Sequence, residues 1–315
     1  MTQAQATESA GAVQQSGKAP RRRRSVLHPP RVGVGLVAPA FLFVAVFVLF
    51  PLGFAVYISL TNWPLIGPHH WVGLANYAAI PKDTIFLHSV LFTLIYTAIV
   101  TLPILVLGYA LAVFVRRGRR GATAFRTAFF LPYVIGLATE SFILLLELQP
   151  GTGGVNFVLE KLGITNGMTA WLVHTNLATA AVCVLVVWYA SGLTMVLLMG
   201  GMQGISKDLY ESAEVDGASW WEREVHVTLP LLRRTIALSL ILSVIGSFLA
   251  FNQFYILTQG GPEVSTTTVV MWIYEKAFVQ LHVGAATALS IVLVAVVGLI
   301  SAAQFFLLSG DGEQS

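Results

Sequence analysis

Apolar positions in this chain gather into long blocks separated by shorter polar segments. Six blocks reach the ~20 residues that a helix rising ~1.5 Å per residue needs to cross a bilayer's hydrocarbon. They cover 36–60, 86–115, 127–148, 171–200, 229–257 and 284–308. Helix is the expected form, because a backbone amide in lipid must find its partner within its own segment. The alternating strands of about 10 residues that build a membrane barrel are not present in the sequence. The pattern predicts an all-α membrane protein with six transmembrane helices. Pro39, Pro51, Pro103 and Pro132 fall inside these blocks, and each is expected to bend or end its helix by removing a backbone donor. The organisation that follows is a basic, disordered tail at 1–31, a transmembrane domain at 32–308 and a short tail at 309–315.

Composition supports the membrane as solvent. Of the 315 residues 56% are hydrophobic and 10% charged, with a mean hydropathy of +0.76. A soluble domain carries roughly 25% charged residues. The single cysteine, Cys183, excludes an internal disulfide and a thiolate metal cluster, and reads as a small buried hydrophobe. The placement of the positive charge says more than its sum. With the N-terminus inside, Lys18, Arg21 to Arg24, Arg31, Arg116, Arg117, Arg119, Arg120, Arg126, Lys207, Arg223, Arg233 and Arg234 are cytoplasmic. Only Lys82, Lys161 and Lys276 remain outside. That bias predicts that both termini are cytoplasmic. The arginines before the first block then serve as a topology anchor, and no nucleic-acid partner is expected.

The segment between the fourth and fifth blocks is too structured for a linker. Ser206 is placed to cap a short helix, and Asp208 favours the positive end of its dipole. Leu209, Tyr210, Ala213 and Gly217 fall on one side at helical spacing, while Glu211 and Glu214 lie elsewhere. Gly217 supplies a helix stop, being free to adopt positive φ. Ser219 and Glu222 then form the capping-box pattern of a second helix, and Pro230 marks the start of the fifth span. The reading is a cytoplasmic helix–turn–helix with an acidic surface suited to docking into another protein. The alternative, an amphipathic unit resting on lipid, meets repulsion between that surface and anionic headgroups.

At this loop the chain resembles the permease subunits of binding-protein-dependent ABC importers. Their hallmark is Glu-Ala-Ala, three residues, Gly, nine residues, then Ile-x-Leu-Pro. Here it stands as Glu211-Ser212-Ala213, Gly217, and Val227-Thr228-Leu229-Pro230, with every spacing intact. A second block, Leu257-Thr-Gln-Gly-Gly-Pro262 with Thr266 to Thr268 and Tyr274-Glu-Lys-Ala-Phe278, is similar to the carbohydrate-uptake branch, typified by the maltose and glycerol-3-phosphate permeases. Phe130-Leu-Pro132, Gly154-Val-Asn156, Trp171-Leu172, Trp188 and Gly192 extend the likeness from about residue 36 to 308. Glu224 departs from it, standing where an aromatic is frequent, and Ser206 replaces a usual proline.

The resemblance implies the type I ABC importer permease fold and a translocation pore for a sugar or sugar-like solute. It implies three kinds of partner besides lipid: a second, non-identical permease, two ATPase subunits and an extracytoplasmic solute-binding protein. ATP and magnesium would belong to the ATPases, with no cofactor on this chain. The nearest approach to a P-loop, Gly11 through Lys18, has the wrong spacing and is followed by Ala19. Glu211, Ala213 and Gly217, flanked by Ser212, Asp216 and Ala218, would seat in an ATPase groove. Solute would bind among polar and aromatic residues near the bilayer midplane: Ser247, Phe251, Asn252, Gln253 and Tyr255 in the fifth block, Trp188 in the fourth and Glu140 in the third. Intramembrane polar groups are functional candidates because they are costly to bury. The alternative use of such groups is helix–helix hydrogen bonding. Glu147 fits an outer-boundary position. His69, His70, His174, His226 and His282 lack zinc-site spacing, so no metal is expected. The rival class is an ion-gradient-driven secondary transporter, which predicts inverted repeats that the sequence does not display. A membrane enzyme would need a catalytic set within the spans, and none is visible.

Overall fold

The computed structural model describes residues 30–64, 66–116 and 121–309. The arginines at 21–24, 117, 119 and 120, Lys18, and most of both expected tails lie outside the described residues. Two compact units divide at Leu52 and Gly53. In the first, α1 (Pro30–Val44) continues into a wide π-type turn at Ala45–Leu49. Helix therefore begins at Pro30, inside the segment expected to be tail. Pro51 explains the wide turn. It has no N–H for the Phe47 carbonyl and its ring crowds that oxygen, so Phe50 N bonds back to Ala45 instead. Helix α2 (Phe50–Ser59) completes the first span, whose side chains face outward along Val37–Ser59 until the buried Ser59.

The second unit holds the remaining elements. A short α3 (Ala75–Ala79) leads to α4 (Thr84–Arg116), and α5 (Ala122–Ile135) and α6 (Leu137–Glu147) follow. After α7 (Gly154–Lys161) come α8 (Thr175–Gln203), α9 (Lys207–Val215) and α10 (Trp220–Arg223). The chain ends in α11 (Leu229–Phe248), α12 (Asn252–Leu257), α13 (Val269–Tyr274) and α14 (Val283–Ser309). Among the described residues, extended pairing is confined to two isolated bridges, Thr61 with Trp71 and Pro64 with His282.

Among the described residues, five helices are long and apolar enough to cross a membrane, and a bent pair taken as one span makes a sixth. Two spans differ from the sequence reading. Block 127–148 is no single helix: α5 and α6 meet at 94°. The bend falls at Gly136, four residues past Pro132, where φ of +95° suits a residue without a Cβ. Block 229–257 is interrupted between Phe248 and Asn252. Pro103, by contrast, neither ends nor interrupts α4. Pro230 likewise starts no new helix: α10 runs through a second π-type turn, Glu224–Thr228, directly into α11. The device matches the one before Pro51, since Leu229 N bonds back to Glu224 O while Pro230 has no N–H to give.

Helices α4 and α8 pack side by side as the spine, with α11 against both. Tyr96, Val100, Ile104, Val182, Leu185 and Phe254 fill the middle of the bundle. Leu111, Met195, Met202 and Leu232 fill the end nearer α9. Phe86, Phe248, Trp272 and Leu289 fill the other. Lipid offers no hydrophobic drive between helices, so close packing must hold them. A Cβ on Gly108 would stand 2.5 Å from Thr194 Cγ2, and one on Gly192 2.2 Å from Phe129 O. Both glycines thus mark backbones packed too closely for any side chain. Buried threonines tie the elements further. Thr93 Oγ1 accepts from Val269 N at 3.1 Å, and Thr268 Oγ1 donates to Ala250 O at 2.6 Å.

Candidate functional site

The first site is the hairpin α9–α10, whose shape is fixed by local chemistry. Ser206 Oγ accepts from Asp208 N at 3.3 Å and starts α9. The helix ends in a Schellman arrangement: Gly217 N bonds Glu214 O at 3.0 Å and Ala218 N bonds Ala213 O at 2.9 Å. Gly217 has φ of +81°, where a Cβ would strain the backbone. Ser219 then closes a reciprocal capping box with Glu222, through bonds of 2.7 and 3.3 Å. Glu211, Ser212, Asp216 and Gly217 are exposed, while Ala213 and Ala218 are half-buried. Arg223 pairs with Glu214 at 2.9 Å, and among the described residues Glu211 has no ion pair. Leu209 is exposed whereas Tyr210 is half-buried, and Val215 is 88% exposed. The hairpin surface is therefore acidic and apolar at once, with Trp220 and Trp221 also exposed.

The inward side carries a cluster that sequence reasoning missed. Glu224 is only 3% exposed. Its carboxylate accepts from Arg116 Nη2, at the end of α4, and from Tyr109 Oη at 2.7 Å. Arg116 Nη1 donates to Tyr210 Oη at 3.0 Å, and its guanidinium lies over the Tyr210 ring. Tyr210 Oη stands 3.1 Å from Thr228 Oγ1. The one available signal was Glu224 as an acid in an aromatic's usual place. Its partners are over a hundred residues away and could not be read from spacing.

The structure divides the expected solute residues into separate groups. Phe251 and Tyr255 stack at 4.9 Å beside the break after α11, with Tyr274 within 5.3 and 5.4 Å of them. Asn252 is exposed next to them, and Ser247 is buried one turn earlier. Gln253 turns inward, its Nε2 donating to Tyr96 Oη at 3.2 Å. Glu140 and Trp188 belong to a different place. They line a cavity of about 510 Å³ with Glu147, Trp171 and otherwise apolar side chains between α6 and α8. Both Glu140 carboxylate oxygens are buried without a hydrogen-bond partner, and the residue is 4% exposed. Tyr133 and Tyr189 form a ring pair 5.1 Å apart between α5 and α8. Glu147 lies against Gly154 at the start of α7, where a Cβ would meet Glu147 Oε2 at 2.2 Å. No group of three metal-binding side chains occurs among the described residues.

An apolar helix bundle with one acidic hairpin outside it and a polar, aromatic interior defines a multi-pass membrane permease. Residues 87–309 match the family described as "Binding-protein-dependent transport system inner membrane component", and the chain belongs to that family. It is 32% identical over 312 residues to the diacetylchitobiose uptake system permease protein of Streptomyces coelicolor, covering 94% of this chain and 88% of that one. It is 30% identical over 272 residues to the sn-glycerol-3-phosphate transport system permease protein of Agrobacterium fabrum, covering 86% and 92%. The structure superimposes with a TM-score of 0.79 on a chain of a bacterial ABC transporter that imports the acidic polysaccharide alginate, at 20% identity and covering 90% and 96% of the two chains. The fold is that of the type I ABC importer permease, as the resemblance implied.

Proposed function

We propose that this inner-membrane permease forms one half of a translocation path for a sugar or sugar-like solute handed over by an extracytoplasmic binding protein. A second permease supplies the other half, and two ATPase subunits hydrolyse ATP on the cytoplasmic side, where both termini also lie. In this reading nucleotide and magnesium belong to those ATPase subunits. The observation that carries the proposal is the hairpin. Its caps are satisfied internally, so Glu211 and Asp216 present their carboxylates on an exposed surface beside Ser212 and Gly217. Such a rigid handle suits a mechanism in which closing ATPases pull the helices between two arrangements. The relatives' solutes, a diacetylated disaccharide and a glycerol phosphate, support a polar, hydroxylated cargo. Phe251, Asn252, Tyr255 and Ser247, with Trp188 and Glu140, are its proposed contacts, while Gln253 holds the site's backing through Tyr96. Membership of this family stands against the ion-gradient-driven rival, which is a different class of transporter.

The test is assembly and coupling. Tagged chain extracted in mild detergent is expected to bring an ATPase with it. Glu211→Lys is expected to stop import while the chain stays in the membrane at normal abundance. Import at the wild-type rate in that variant would remove the docking assignment.

A further inference from the structure

Glu224 lies in the wide turn joining the hairpin to α11, where polar side chains of α9, α4 and that turn meet. Four features set it apart from a surface ion pair. The carboxylate is almost wholly buried. Both of its oxygens are used, one by Arg116 and one by Tyr109. Its partner guanidinium also bonds and covers Tyr210, the residue immediately before Glu211. Tyr210 in turn reaches Thr228, back on the turn that holds Glu224. The result is a closed ring of contacts running α9, α4, turn, α9.

We propose that Glu224 is a positioning residue that locks the hairpin to the end of α4, so that the two move as one body when the hairpin is pulled. The proposal rests on the docking reading of Glu211 and deepens it, by naming what carries the pull inward. Backbone continuity links the hairpin only to α8 and α11. Helix α4, the spine of the bundle, has no covalent connection to it, and the ring supplies one of polar contacts. A π-type turn is a pliable joint, with one extra residue in its hydrogen-bonded ring. A buried charged strut across that joint keeps it from flexing. Losing Arg116 would leave the Glu224 carboxylate buried without compensation, so the geometry is strongly specified from that side.

The experiment measures a distance and needs no knowledge of the solute. Spin labels are placed at Lys207→Cys on α9, outside the docking residues, and Leu107→Cys on α4, in a Cys183→Ala background. The assembled importer is then compared without nucleotide and with MgATP trapped by vanadate. One narrow distance, the same in both states, is expected for the otherwise unaltered chain. Glu224→Gln is expected to lose that single distance, with a broadened or split distribution once ATP is bound. Tyr210→Phe removes only the Tyr210 hydroxyl's links and is expected to give a milder version, which keeps the test alive if Glu224→Gln fails to assemble. A distance that changes with nucleotide in the unaltered protein overturns the proposal. So does a Glu224→Gln complex that melts earlier yet keeps the single distance, since that is a purely structural role. Glu211→Lys is run in parallel on ATP turnover. If it leaves turnover under the importer's control, the docking reading fails by itself, whatever the labels report.

Discussion

Glu140 and Asp83 are two carboxylates near apolar surroundings, and their partners decide what each does. Asp83 precedes α4. Burial works against its charged form, but bonds from Phe86 N, Trp272 Nε1 and Lys276 outweigh it and hold the carboxyl below its ordinary value. A depressed carboxyl stabilises the fold above the unfolded pKa of about 3.9 and loses that contribution as pH falls through the folded one. Asp83→Asn is therefore expected to lower the melting temperature at neutral pH and to narrow the gap from wild type in acid; a gap that stays constant with pH would refute it. Glu140 is the reverse case, buried with neither oxygen paired. A buried group left unsatisfied costs about 1–3 kcal/mol, so Glu140→Leu is expected to raise thermal stability by an amount of that order. The same change is expected to depress import, because the carboxylate faces the cavity that Trp188 lines. Stability and import rising together would show that Glu140 has no part in solute handling. Sequence singled out Glu140 as a charge inside an apolar block and passed over Asp83. It did not reveal that one had three partners and the other none, because those partners arrive from helices far along the chain.

Elements were legible wherever the signal is local. The hairpin's caps, Ser206, Gly217 and Ser219, act within three or four residues of themselves, and each takes the expected place. Ser219→Ala is expected to loosen α10 by about 1 kcal/mol, read as faster amide exchange there with the spans unaffected. Gly217→Val, at positive φ, is expected to cost roughly 1–2 kcal/mol and to uncouple import more than it lowers abundance. An abundance loss that fully accounts for the import loss would argue that Gly217 serves folding alone. Breaks inside the spans were less legible. Hydropathy reports whether residues are apolar and is blind to direction, so the 94° turn at Gly136 and the interruption at Leu249 to Phe251 left no trace in it. Pro103 does not end α4, because a missing N–H in a packed membrane helix is tolerated when neighbours support the turn. At Pro51 and Pro230 the chain absorbs the same defect by widening the turn before it.

For the whole molecule, the two ends of the bundle are chemically unlike. One end carries the hairpin with its exposed acids, Arg116 and the Arg233-Arg234 pair that begins α11. The other carries the aromatic group Tyr57, Trp63, His69 and Trp71, in which Trp63 and His69 stack at 4.0 Å. Tyrosine and tryptophan favour the membrane–water interface, and arginine favours the cytoplasmic side. That asymmetry supports the proposed orientation, with the hairpin on the side where the proposed ATPases would meet it. With Cys183 replaced, single cysteines at Ser212 and at His70 give a direct readout in intact cells. A membrane-impermeant maleimide added outside is expected to label position 70 at once. Position 212 is expected to react only after the cells are opened, and to be shielded again when the ATPases are bound. Labelling of position 212 from outside would invert the orientation and, with it, leave the acidic hairpin no motor to hold.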